Sequence, residues 1–101
     1  MTHFEKTAVL NAANAARVAG RKAHPAAIAA RTSPCNADAV NEAELAALRA
    51  YRAAQAAEDA ALDLDPEEAL ENEDVWRTHC IAMGAADYAH KRADNAISCA
   101  R

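Results

Sequence analysis

Four histidines and three cysteines are the side chains of this 101-residue chain best suited to metal or nucleophilic chemistry. Their spacing decides what they can do. His79 and Cys80 are neighbours, but adjacent residues of a helix point about 100° apart and cannot close on one ion. Asp87, His90 and Asp94 share a helical face at i, i+3 and i+7. Asp87-x-x-His90 has the outline of half a carboxylate-bridged di-iron site, which also needs a second such pair and two further inward glutamates. The chain has no second pair. Cys-x-x-Cys and His-Glu-x-x-His spacings are absent from the sequence, so no zinc site is expected. Asp63-x-Asp65-x-Glu67 opens like a calcium loop, but the sixth position is Glu68 where such a loop needs Gly, and Pro66 favours a helix start. Gly20 and Gly84 stand alone, which rules out a glycine-rich phosphate cradle. Ser33 lies beside Pro34 and Ser98 near the end, and nothing marks either as a nucleophile. The expectation is a protein without catalytic residues, metal or cofactor.

Charge carries more information. Residues 1–37 sum to +4, residues 38–74 to −10 and residues 75–101 to +2. Glu58, Asp59, Asp63, Asp65, Glu67, Glu68, Glu71, Glu73 and Asp74 fall within 17 positions, with no Lys or Arg between Arg52 and Arg77. Such a run attracts a basic partner and repels nucleic acid. Arg17, Arg21, Lys22, Lys91 and Arg92 form smaller basic groups. The acidic total, the four aromatic residues and the apolar 25–31 segment argue against direct nucleic-acid binding.

Composition bounds the rest. One domain, residues 1–101, is expected from the length. Alanine supplies 31 residues, against two glycines and three prolines, a usage typical of high-GC bacterial or phage genomes. Setting aside Met1 and the cysteines, 18 large apolar side chains remain. Each contributes roughly 1.5–3 kcal/mol when fully buried, against an ordering cost near 1–2 kcal/mol per residue. A lone core of this kind is marginal, and self-association or a partner is expected to supplement it. An odd number of cysteines (Cys35, Cys80, Cys99) fits a reducing, cytoplasmic setting. Met1–Leu10 carries Glu5 and Lys6 with no long apolar stretch after it, so neither a secretory signal nor a membrane span is expected.

Local signals then place the elements. Thr2 and Glu5 form a reciprocal capping box for a first helix, whose face reads Phe4, Ala8, Asn11, Ala15 and Val18. Gly20 and His24-Pro25 should end or kink it, and Pro25 should open a short second helix to Arg31. Thr32 to Asn36 reads as a loop. From Asp38 to Leu62 the chain lacks Gly and Pro and is rich in strong helix formers. Ala39, Ala43, Ala46, Ala50, Ala53, Ala57 and Ala60 repeat there at 4-3 spacing, a heptad seam, with Leu45, Leu48 and Tyr51 mostly opposite. Asp65-Pro66-Glu67-Glu68 starts a further helix toward Ala100, continuous or broken near Asn72. Val75, His79, Ala82, Ala86, Ala89, Ala93, Ala96 and Ala100 form its seam, flanked by Trp76, Met83, His90 and Ile97.

These elements predict an all-α bundle of three to four helices, dominated by a long Ala-rich antiparallel hairpin of residues 38–62 and 66–100. The functional expectation is a small non-enzymatic inhibitor or adaptor. Its basic protein partner would meet Glu58, Asp59, Asp63, Glu67, Glu68, Glu71, Glu73 and Asp74. The alternative is a structural protein that assembles through its Ala seams, a homodimer formed on Leu45, Leu48, Tyr51, Ala50 and Ala89.

Overall fold

A computed structural model describes residues 3–101, with side chains from residue 5 onward. Thr2, and with it the capping box, lies outside the described residues, as does the Phe4 side chain. Four helices follow in order: α1 (His3–Thr32), α2 (Ala37–Leu62), α3 (Pro66–Glu71) and α4 (Glu73–Ala100). Each of the three long helices packs against the other two, while α3 packs on α4 alone. The long α2/α4 hairpin is present, but α1 is its full-length third partner.

That partnership corrects the expected break at Gly20 and Pro25. Helix α1 runs through both for 30 residues. Proline removes one backbone donor and leaves the Arg21 carbonyl without its usual bond. Arg21 and Pro25 both lie on the exposed side, where water can serve that carbonyl. Ala23, Ala27 and Ala30, each at most 1% exposed, hold the helix on the bundle across the defect. Gly20 is a point of close approach, since a Cβ there would stand 2.7 Å from the Tyr88 ring and 3.3 Å from the Ala89 backbone.

The other boundaries follow local chemistry. Asn36 Oδ1 accepts from the Asp38 and Ala39 amides at 3.0 and 3.3 Å and starts α2. Asp65 Oδ1 accepts from the Glu67 amide at 2.9 Å, with Pro66 in the first turn of α3. Asn72 ends α3 by donating its amide to the Glu68 carbonyl at 2.8 Å. Its own Oδ1 accepts from the Asp74 amide at 2.9 Å to start α4. The chain thus breaks at Asn72, and one extended residue serves two helices.

The core is almost entirely alanine. Among the described residues 20 apolar side chains are buried, of which 17 are Ala and only Val9, Leu64 and Val75 are larger. Each buried methyl contributes about 0.8 kcal/mol, so the core draws its strength from length and from backbones that lie close together. The molecule is accordingly a rod, 53 × 19 × 15 Å, with a 15.6 Å radius of gyration against about 13 Å for a compact domain of this size.

Two stripes differ from those read in the sequence. In α1 the buried face is Val9, Ala13, Ala16, Gly20, Ala23, Ala27 and Ala30, while Ala8, Asn11 and Ala15 are exposed and Val18 is 37% exposed. In α2 the buried face is Ala43, Ala47, Ala50, Ala54, Ala57 and Ala61. Three members of the expected seam are kept, and Ala46, Ala53 and Ala60 move to its half-buried shoulder. The α4 seam holds from Val75 to Ala96, with buried Thr78 taking the inward place beside half-buried His79. Thr78 Oγ1 donates to the Asp74 carbonyl at 2.8 Å, which satisfies the buried hydroxyl.

Candidate docking surface

Antiparallel packing places the start of α1, the end of α2, all of α3 and the start of α4 at one end of the rod. Every acid from residue 58 to 74 belongs to that end. Glu58 and Glu68 are half-buried; Asp59, Asp63, Asp65, Glu67, Glu71, Glu73 and Asp74 are exposed. Two of them gain cations that the sequence run lacked. Lys6 Nζ reaches Asp74 at 2.8 and 3.0 Å, tying α1 to α4, and Arg77 meets Glu73 at 2.9 Å. The run is therefore partly neutralised from outside itself. Surface pairs of this type contribute at most about 1 kcal/mol, so they trim the charge more than they stabilise the fold.

Helix α3 divides the remaining surface into two concavities. On one flank, Glu5, Asp63, Asp65 and Glu68 surround a cleft of about 490 Å³ floored by Ala8, Val9, Ala60 and Leu64. Four carboxylates around an open cleft suit an ammonium or guanidinium head whose alkyl stem lies on an apolar floor. On the other flank, Leu62, Leu64, Pro66, Ala69, Leu70, Trp76 and His79 line an apolar groove of about 330 Å³. Leu62 is 61% exposed, Leu70 84% and Trp76 52%. Of the residues that flank the α4 seam in sequence, Met83 and Ile97 pack on the core, while Trp76 stands at the groove.

The groove is braced. His79 Nδ1–H donates to the Ala61 carbonyl at 3.2 Å, and its ring stacks on Trp76 with centroids 5.8 Å apart and planes 22° from parallel. The last turn of α2 thus fixes the histidine, and the histidine supports one face of the indole. The sequence reading missed this site, although a signal existed: Leu62, Leu64, Leu70 and Trp76 all fall within or beside the acidic run.

The other candidate residues disperse. Asp87 pairs with Lys91 at 2.9 Å. Asp94 accepts the Tyr51 hydroxyl, and His90 lies against the Tyr51 ring, so the Asp87/His90/Asp94 face converges on nothing. That hydrogen bond raises the Tyr51 phenol above its usual value of 10.0, with desolvation and the negative charge of Asp94 adding to it. Arg92 donates to His24 Nδ1 at 2.8 Å and lies over the Tyr88 ring at 5.4 Å. Among the described residues no group of three or more His, Cys, Asp or Glu is placed to hold a metal, and the three cysteines are free thiols.

The residues expected at a dimer interface also separate. Ala50 and Ala89 are fully buried between the chain's own helices. Leu45 and Leu48 remain 46% and 43% exposed on α2, and Tyr51 is half-buried toward α4. No helix among the described residues is long and apolar enough to cross a membrane. No protein-family model, curated protein or solved structure matches this chain.

Proposed function

We propose that the chain is a non-enzymatic protein-binding module, an inhibitor or adaptor of bacterial or phage type, whose acidic end engages a basic protein. The observation that carries this reading is the convergence of carboxylates from α1, from the turn between α2 and α3, and from α3 on one open cleft. A cluster of fixed negative charge on a rigid rod speeds encounter with a positive surface and makes it salt-dependent. If the partner's basic surface ordinarily holds nucleic acid, the carboxylates compete with phosphates for the same Lys and Arg side chains.

Assembly through the Ala seams has less support, because the chain fills its own seams. Of the residues expected at a homodimer interface, Leu45 and Leu48 are the large apolar ones still exposed. The proposal is tested with a variant carrying Glu67→Lys, Glu68→Lys and Glu71→Lys, its helicity confirmed by circular dichroism. Used as bait in a lysate of the native host, the wild-type chain should retain basic proteins that the variant loses and that salt elutes. Identical retention by both baits would overturn the acidic-surface reading.

A further inference from the structure

The acidic cleft has an apolar counterpart across α3, and the two concavities share Leu64. We infer that the groove of Leu62, Pro66, Leu70, Trp76 and His79 is a docking site for an amphipathic basic helix. The partner would insert large apolar side chains beside Trp76 and place its Lys and Arg over the surrounding carboxylates. This inference rests on the acidic-surface reading and adds to it the form of the partner.

Three observations carry it. The first is the cost of the arrangement. The chain leaves Leu62, Leu70 and Trp76 largely in water while alanine fills its core, although burying any of them would contribute roughly 1.5–3 kcal/mol. The second is preorganisation. His79, anchored on the Ala61 carbonyl, holds the indole from one side, so a ligand meets a wall already in place. Tryptophan in a braced apolar pocket is the residue type that most often dominates binding energy. The third is charge. Glu71 and Glu73 line a depression that continues the groove past Leu70 and Trp76. Asp63 and Asp65 line the acidic cleft on the opposite flank of α3. Among the described residues, Asp63, Glu67 and Glu71 have no Lys or Arg within ion-pairing distance. An apolar strip bordered by carboxylates is complementary to a helix with one apolar face and basic flanks. It opposes an anionic membrane surface, whose headgroups carry the same sign.

Trp76 is the only tryptophan, so its emission reports directly on the groove. The probe is a synthetic 18-residue Leu/Lys peptide with Leu at helical spacing, added to the full chain. Two controls accompany it: an isomer of the same composition with the Leu positions scrambled, and an amphipathic version with Gln in place of Lys. The expected result is a saturable blue shift with the Leu/Lys peptide. Affinity should fall by about tenfold or more in Leu70→Glu, and the Gln version should bind at least several-fold more weakly. Leu70 has almost no contact with the core, so Leu70→Glu should melt with the wild type; Leu62→Glu is the second variant for the same comparison.

Binding detected by calorimetry with Trp76 unmoved, or equal binding of the scrambled isomer, would overturn the groove while leaving the acidic surface standing. Equal binding of the Gln version would overturn the basic character of the partner. Absence of any peptide binding at low salt would remove both readings. A blue shift that grows with protein concentration alone would assign the groove to a second copy, and one produced by zwitterionic vesicles would assign it to lipid; either overturns the proposal.

Discussion

The two halves of the rod solve the problem of a small core differently. Far from the acidic end, Ala23, Ala27, Ala47, Ala50, Ala93 and Ala96 are the whole buried cluster, with Tyr51 and Ile97 packed against its edge. Among the described residues, the cluster toward the acidic end takes in every buried apolar side chain larger than Ala, namely Val9, Leu64 and Val75. That same end also displays Leu62, Leu70 and Trp76 outside. Its larger side chains were available for a stronger core, yet α3 buries no residue and carries one of the three, Leu70, in solvent. The first half is organised by helix contact alone. The second divides its apolar surface between stability and an open groove.

The contrast predicts an inverted mutational profile, in which the smallest side chains matter most. Ala89→Leu should be the largest effect. The added atoms have no space between α1, α2 and α4, and overpacking should cost about 1–3 kcal/mol, read as a lower denaturation midpoint with an unchanged slope. If Ala89→Leu melts like the wild type, the helices are not in the close contact described.

A pair of glycines sharpens the point. Gly84→Ala should stabilise by about 0.5–1 kcal/mol, because nothing lies within 4 Å of the new methyl and alanine is the better helix former. Gly20→Ala gains the same propensity but drives a methyl against Tyr88 and the Ala89 backbone, and its net effect should be destabilising. Equal shifts for the two substitutions in thermal melts would contradict the Gly20 contact.

Smaller still is the effect of Leu70→Ser. Despite the loss of a large apolar side chain, stability should stay within about 0.5 kcal/mol of wild type, since the residue is already in solvent. A larger loss in urea titration would mean that α3 is part of the core.

The smallest expected effect is confined to alkaline pH. The raised Tyr51 pKa means the folded state favours the neutral phenol that donates to Asp94. Its contribution is complete below pH ~10 and is lost as pH rises through the higher folded value. Phenolate absorbance should show a component ionising above the ordinary tyrosine range, and Tyr51→Phe should remove it.

Much of this fold was legible because it is local. Asp65 acts on an amide two residues away, so a capping oxygen and a fixed proline φ mark the start of α3 from sequence, whereas Asn36 and Asn72, which cap in the same local way, read only as the end of a loop and a possible break. Helix class follows likewise from alanine content and from the scarcity of Gly and Pro between residues 38 and 100. The heptad spacing of the seams was also readable; their exact face was not. In α2 alanines occur in adjacent pairs (46–47, 53–54, 56–57, 60–61), so two overlapping 4-3 stripes fit the sequence equally well. Only the third helix selects between them.

The same third helix decided what local rules misjudged. Pro25 breaks an isolated helix, but buried alanines on either side carry α1 past it. Gly20 reads as a terminator until the ring it accommodates, 68 residues later, is in place. The acidic run was fully legible as a run, whereas Lys6 and the groove behind α3 were not, because both depend on residues brought together from different helices. Sequence thus determined where helices begin and what charge they bear. Tertiary structure decided which side of each faces inward, since an alanine core lacks the bulky side chains that would otherwise announce the buried face.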